Sequence, residues 1–262
     1  MRTWKKSLAV LPVLALALTA CGSSASSTSD PAGSSSSSVT GTITVFAAAS
    51  LTGAFGTLGK QFEAAHPGTT VTFSFGASSD LAEQLNQGAP ADVFASASTK
   101  NMTMVVSAGN ASDPKNFVKN VMEIATPPGN PKKITSVKDL AKSGIKVALC
   151  QPAVPCGATA ASVFNNANVT VKASTLEADV KSTLAKVELK EVDAGVVYVT
   201  DVMSAGSKVT AVKVPDSINA STEYPIATLK DSKNSATASA FEQYVLSSAG
   251  TKVLTADGFQ QP

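Results

Sequence analysis

The spacing of hydrophobic positions changes along this chain, and the changes mark out its elements. "TITVF" at 42–46 is a short run rich in β-branched residues and reads as a strand. Residues 51–65 then place Leu51, Phe55, Leu58 and Phe62 three or four apart, the spacing of one helix face. The alternation continues with a strand in "TVTFSF" (70–75), a short helix over 79–88 closed by Gly88, a strand at 91–96 and a helix over 99–107. A second series follows. It has a strand-like crossing at 121–125, a helix over 136–141 opened by Ser136 and Asp139 in capping-box spacing, a strand at 145–150 and a helix over 157–166. A longer helix is predicted over 176–190, with Leu176, Val180, Leu184 and Val187 on one face. A buried strand at 194–199, strands in "KVTAVKVP" and "EYPIATL", a helix near 235–248 and a short C-terminal helix complete the pattern. Strands alternating with helices predict an α/β fold of mostly parallel sheets flanked by helices. Two such series in about 220 residues predict two lobes.

The first residues follow a different pattern. Residues 1–20 read as a signal peptide, with Arg2, Lys5 and Lys6 ahead of an apolar run at 7–20 that is too short for a comfortable membrane span. "LTAC" at 18–21 resembles the bacterial lipobox, which implies lipidation at Cys21. The Ser-rich stretch that completes 21–39 reads as a flexible tether. The expected mature chain is therefore extracytoplasmic and held to the membrane by its lipid alone.

Charge and composition narrow the function. The full chain has a formal net charge of +2, but without Arg2, Lys5 and Lys6 there are 18 lysines against 19 acidic residues, or −1. Arg2 is the only arginine, so the mature chain lacks the usual tool for bidentate phosphate and base recognition, and nucleic acid is not an expected partner. The single histidine, His66, sits before a Pro-Gly turn and reads as a residue at a helix end. One histidine supports neither a His-rich metal site nor an evident Ser-His-Asp arrangement.

Candidate chemistry lies where strands end and helices begin. Ser50 precedes the helix at 51, Ser78 and Ser79 precede the next, and Cys156 with Gly157 opens the helix after the strand at 145–150. Helix starts carry unpaired N–H groups and positive partial charge, so three of them predict a cleft lined by neutral donors. Such a cleft favours a fully deprotonated oxyanion; Asp80, the one carboxylate beside these positions, is expected to cap its own helix. Tyr198, at the end of a buried strand, reads as a core tyrosine or one further donor. "LCQPAVPCGAT" (149–159) holds Cys150 and Cys156 around two prolines, a pair open to reading as metal site, redox motif, nucleophile or staple.

Together, "ITVFAAASLTGAF" (43–55), "FGASSDLAEQLNQGAPADVFASAS" (75–98), "VPCG" (154–157), "GVVYVTD" (195–201) and "EYPIA" (223–227) resemble the periplasmic molybdate-binding proteins of ABC importers. The resemblance covers nearly all of the chain after the tether. It implies the two-lobed type II periplasmic-binding-protein fold with two hinge crossings, with lobe I at 40–120 plus 225–262 and lobe II at 121–224. It implies molybdate, and tungstate with it, bound by neutral hydrogen bonds for delivery to an importer's permease and ATPase. The implied chain is a monomer, not an enzyme, with no cofactor and no direct protein–metal ligand. Carried over by position, the ligand donors are Ser50, Ser78, the backbone N–H of Cys156, the backbone N–H of Val187 and the hydroxyl of Tyr198. The family carries a small residue where Cys156 stands, so the cysteine needs its own account. An oxidising compartment with two cysteines left after lipidation favours a Cys150–Cys156 disulfide over two free thiols. Two rival functions remain: the same fold tuned to sulfate or phosphate, and an anchored hydrolase using Ser50 or Ser78, which lacks a histidine partner.

Overall fold

The computed structural model describes residues 39–262. The expected signal peptide, Cys21 and most of the expected tether lie outside these described residues. Strand β1 (Gly41–Ala48) pairs in parallel with β2 (Thr69–Gly76) and β3 (Val93–Ala95). Helices α1 (Thr52–Ala65), α2 (Ser78–Asn86) and α3 (Thr99–Ser107) follow these strands in turn. The helical stripe read from the sequence forms as expected, with Leu51, Phe55, Leu58 and Phe62 fully buried. Phe55 and Phe62 meet Phe241 edge-on at 6.1 and 5.3 Å between ring centroids, the geometry aromatic rings prefer.

The long strand β4 (Lys115–Thr126) joins the two lobes. Residues 115–121 pair antiparallel with β9 (Ser221–Thr228), which in turn pairs with β3. Residues 122–126 pair with β7 (Ala194–Tyr198) and β8 (Thr210–Lys213). Beyond β7, strand β5 (Val147–Cys150) lies parallel to both β7 and β6 (Thr175–Glu177). The strand order is β2-β1-β3-β9-β4-β7-β5-β6, with β8 alongside β4. The pairs on either side are thus parallel, and those at the centre are antiparallel. This is the mixed α/β, two-lobed architecture of type II periplasmic binding proteins.

Helices α4 (Pro155–Asn166), α5 (Val180–Glu188) and α6 (Val199–Ala205) cover the second lobe, and α7 (Ser235–Leu246) and α8 (Ser248–Ala256) return to the first. One core gathers Ile43, Phe55, Phe62, Tyr224 and Phe241; another gathers Val147, Val163, Leu184, Val187 and Val196. A smaller cluster of Phe46, Leu81, Phe94 and Met102 lies under α2 and α3. Among the described residues, no helix is long and apolar enough to cross a membrane.

Two elements differ from the sequence pattern. The helix predicted over 176–190 is two elements, β6 and then α5. Leu176 is 52% exposed, so the apolar stripe begins only at Val180. Asp179 enforces the break, because its carboxylate accepts the N–H of Ser182 at 2.8 Å and caps a helix that starts one residue later. Helix α6 was not anticipated. It begins at the end of β7, where Asp201 reaches back to accept the N–H of Tyr198 at 3.1 Å.

Candidate functional site

Four chain segments converge on one small cavity: Ala48 to Ser50, Gly76 to Ser78, Val154 to Cys156, and Asp179 with Val180. Ala97 and Tyr198 complete its lining. The first two segments belong to the lobe of β1, and the next two to the lobe of β5. In the parallel-strand βα units of each lobe, the carboxyl end of a strand delivers the start of a helix here, which is where open α/β sheets hold ligands.

In the first lobe the candidate donors are hydroxyls. Ser50 sits in a single 3-10 turn (Ala49–Leu51) ahead of α1, and its side chain makes no capping bond. It is 6% exposed, and its Oγ lies 2.8 Å from the hydroxyl of Tyr224 on β9. Ser78 is the first residue of α2, is 1% exposed, and its Oγ accepts the N–H of Ala97 at 2.8 Å. Both serines were expected as helix starters, but each hydroxyl bonds outside its own helix.

In the second lobe the candidate donors are mainly backbone groups. Helix α4 begins with Pro155 at its first position, where the missing N–H is no loss, and Cys156 follows. Its first-turn N–H groups have no partner within the helix. Cys150 and Cys156 form a disulfide, closing the question their spacing raised. Gly157 is required on packing grounds, since a Cβ there would come within 2.0 Å of the Gln151 carbonyl oxygen. Helix α5 brings Val180, its first residue, to the cavity beside its cap Asp179.

Val187 is a correction. It lies in the last turn of α5, fully buried, and does not line the cavity. A Cβ on Gly195 would come within 2.8 Å of its Cγ2, which shows how tightly this end of α5 packs on β7. Its N–H belongs to the helix's own ladder. The residue of α5 that lines the cavity is at the other end of the helix, Val180. Starting the helix at 176 had hidden that end in mid-helix.

Tyr198 is 1% exposed, and its hydroxyl has no hydrogen-bond partner among the described residues. Burial pushes its phenol well above the ordinary tyrosine range, so the group stays protonated and able to donate. Behind it, Asp201 is fully buried and paired to Lys181 Nζ at 2.9 Å. Burial raises the Asp201 carboxyl above its ordinary value, opposed by Lys181.

Neither lysine nor arginine lines the cavity, which has no cationic side chain among the described residues. Asp80 is exposed and takes a bond from Ser79 at 3.0 Å, outside the lining. The carboxylate that does reach the lining is Asp179, whose Oδ1 is committed to capping α5. His66 caps the far end of α1 against Phe62 and is no partner for either serine. A larger groove of about 800 Å³ lies elsewhere in the first lobe, lined by Thr42, Thr44, Asn86 and Asp92 among others. Its strand residues, Thr42 and Thr44, come from the amino-terminal half of β1, away from the convergent helix starts, so size does not identify the site.

Sequence reasoning missed Val180, Asp179 and Tyr224. Tyr224 had a visible signal in "EYPIA" and Asp179 one as the cap before α5, whereas a backbone donor such as Val180 leaves no residue-type signature.

Residues 43–260 match the model of a family described as bacterial extracellular solute-binding proteins. The molybdate-binding protein ModA of Mycobacterium tuberculosis H37Rv is 43% identical over 254 residues, which cover 97% of this chain and 96% of that one. A putative ABC transporter substrate-binding lipoprotein of Bacillus subtilis, YvgL, is 32% identical over 83% of this chain and 86% of its own length. Among solved structures, the periplasmic molybdate-binding protein of Azotobacter vinelandii superposes with a TM-score of 0.75 over 84% of this chain and 99% of that one, at 20% identity.

Proposed function

This chain belongs to the bacterial extracellular solute-binding protein family, and on that premise we propose that it binds molybdate in the cavity between its lobes and delivers it to an ABC importer. The observation that carries this reading is the convergence of Ser50, Ser78, the α4 and α5 starts and an unpartnered Tyr198 hydroxyl on one cavity without a cationic lining. Such a set has donors to spare and suits a tetrahedral dianion whose oxygens all accept. The mycobacterial relative's name supports molybdate as that dianion.

In this reading Ser50 and Ser78 donate through their hydroxyls, Cys156 and Val180 through backbone N–H groups, and Tyr198 through its phenol. Val180 takes the place first given to Val187. Tungstate, similar in size and charge, binds in the same way. Sulfate is smaller and leaves donors unfilled, at a cost. Residues 40–120 with 225–262 form one binding lobe and 121–224 the other. The β4–β9 register, which runs to Val121–Ser221, supports the first crossing at these residues and a second nearer 221 than 224. Ligand bound to both lobes selects the closed arrangement. The chain carries no reaction: it acts as a monomer, secreted by its signal peptide and anchored by a lipid on Cys21, as the lipoprotein relative supports. Isothermal titration calorimetry with molybdate, tungstate, sulfate and phosphate tests this. Molybdate and tungstate should bind alike and far more tightly than sulfate; sulfate binding as tightly as molybdate would sink the assignment.

A further inference from the structure

The two serines facing the cavity share a feature that helix capping does not explain. Each is engaged by another part of the protein. For Ser78 the direction of that bond is fixed. Ala97 N–H can only donate, so Ser78 Oγ accepts, and its own proton is left for the cavity. For Ser50 the partner is the hydroxyl of Tyr224, which can donate or accept. Counting protons settles the direction.

Tyr224 is fully buried on β9, with its ring edge-on to Phe259 and Tyr198 at 5.4 and 6.3 Å. Burial pushes its phenol above the ordinary range, against the opposing influence of the Ser50, Asn120 and Tyr198 side chains, so it keeps its proton. That proton needs an acceptor, because a buried hydroxyl left unpaired is costly. Neither other polar neighbour takes it: Asn120 bonds Val121 N–H through Oδ1 at 3.0 Å and Thr200 through Nδ2, and the Tyr198 hydroxyl has no hydrogen-bond partner among the described residues. Ser50 Oγ, at 2.8 Å, is the acceptor in place. If Ser50 donated instead, the Tyr224 proton would be stranded.

We propose that Tyr224 is a specificity-determining positioning residue: it donates to Ser50 Oγ and thereby fixes the Ser50 hydroxyl as a donor towards the bound oxyanion. This inference rests on the oxyanion reading above. It makes Ser50 and Ser78 equivalent, each accepting from behind and donating forwards. A ligand oxygen that carries a proton then meets two donors and no acceptor at this wall, which favours molybdate over hydrogen phosphate.

The test is a double-mutant cycle read by calorimetry, using Y224F, S50A and the double variant with sodium molybdate and with inorganic phosphate at neutral pH. Y224F should weaken molybdate binding about tenfold, or about 1.4 kcal/mol, and narrow the preference for molybdate over phosphate. On the S50A background, Y224F should cost almost nothing more, because its effect passes through Ser50. A Y224F protein that binds as the wild type does, or a tenfold loss that recurs in full on S50A, overturns the proposal; the second outcome marks Tyr224 as packing only. If Y224F does not fold, 3-fluorotyrosine at position 224, a stronger donor of nearly the same shape, should tighten binding, and unchanged binding overturns the proposal. A wild type that binds no molybdate overturns the oxyanion reading itself, and this inference falls with it.

Discussion

The two walls of the cavity are made of different chemistry. The first lobe presents the side-chain hydroxyls of Ser50 and Ser78, each tied to a second protein group behind it. The second lobe presents the first turns of α4 and α5 and one phenol with no hydrogen-bond partner among the described residues. The first wall is therefore specified by residue type, and the second mainly by where helices begin. Substitutions should act on the first wall directly. On the second they should act only when they remove an N–H or move a helix start.

The largest effect is expected from Ser78→Asp. A carboxylate in a 1%-exposed position facing the cavity sets two negative charges together with no cation among the lining residues. Molybdate affinity should fall by about a thousandfold or more, as calorimetry would read it. Unchanged affinity would remove Ser78 from the site and the comparison with it.

This contrast also explains what was legible in the sequence. Ser50, Ser78 and Tyr198 stand out because their side chains are polar and lie at the ends of apolar strands. The strand–helix alternation is equally plain, since burial imposes its period on the residues. Val180 was not legible because valine at a helix start looks like valine in a core. The apolar Leu176, placed three residues before the Asp179 cap, extended the apparent stripe backwards and misplaced the start. The break at Asp179 was the available signal. Helix α6 was obscured in the same way, because "VVYVTD" runs from strand to helix without a breaker.

Val180→Pro sharpens the second wall. Proline is well tolerated at the first position of a helix, and Asp179 before it is already extended at φ −151°, ψ 176°. The substitution removes one N–H and keeps the helix. Molybdate affinity should drop roughly 10- to 100-fold, the range for a hydrogen bond to a charged group, with thermal stability little changed. Val187→Ala should do the reverse, costing about 2 kcal/mol of stability through a core cavity while leaving affinity within a factor of about three, near 0.6 kcal/mol. If Val187→Ala weakens binding and Val180→Pro does not, the register of the second wall is wrong.

The disulfide belongs to the same wall but acts on stability. It closes a loop of six residues' separation ahead of α4. Replacing both Cys150 and Cys156 with serine should cost about 2 kcal/mol by the loop-closure argument, measured by denaturant unfolding, and much less in molybdate affinity. In the native protein neither sulfur should react with an alkylating reagent until it is reduced. Ready alkylation without reductant would leave the α4 start unstapled.

Tyr198→Phe should produce the smallest change in stability and one of opposite sign. The hydroxyl is buried without a partner among the described residues, so in the ligand-free protein it is a desolvated group with nothing gained in return. Its removal should stabilise the apoprotein by about 1 kcal/mol, while molybdate affinity falls about tenfold, because the same hydroxyl donates to the ligand. The pH dependence follows from the raised phenol. A phenol that is harder to ionise when folded leaves stability unaffected below its ordinary value of 10.0 and lowers it as pH rises above that value. The wild type should therefore lose stability above about pH 10 more steeply than Tyr198→Phe. A variant with lower stability at neutral pH and unchanged affinity would make Tyr198 a core residue. The second wall would then consist of helix starts alone.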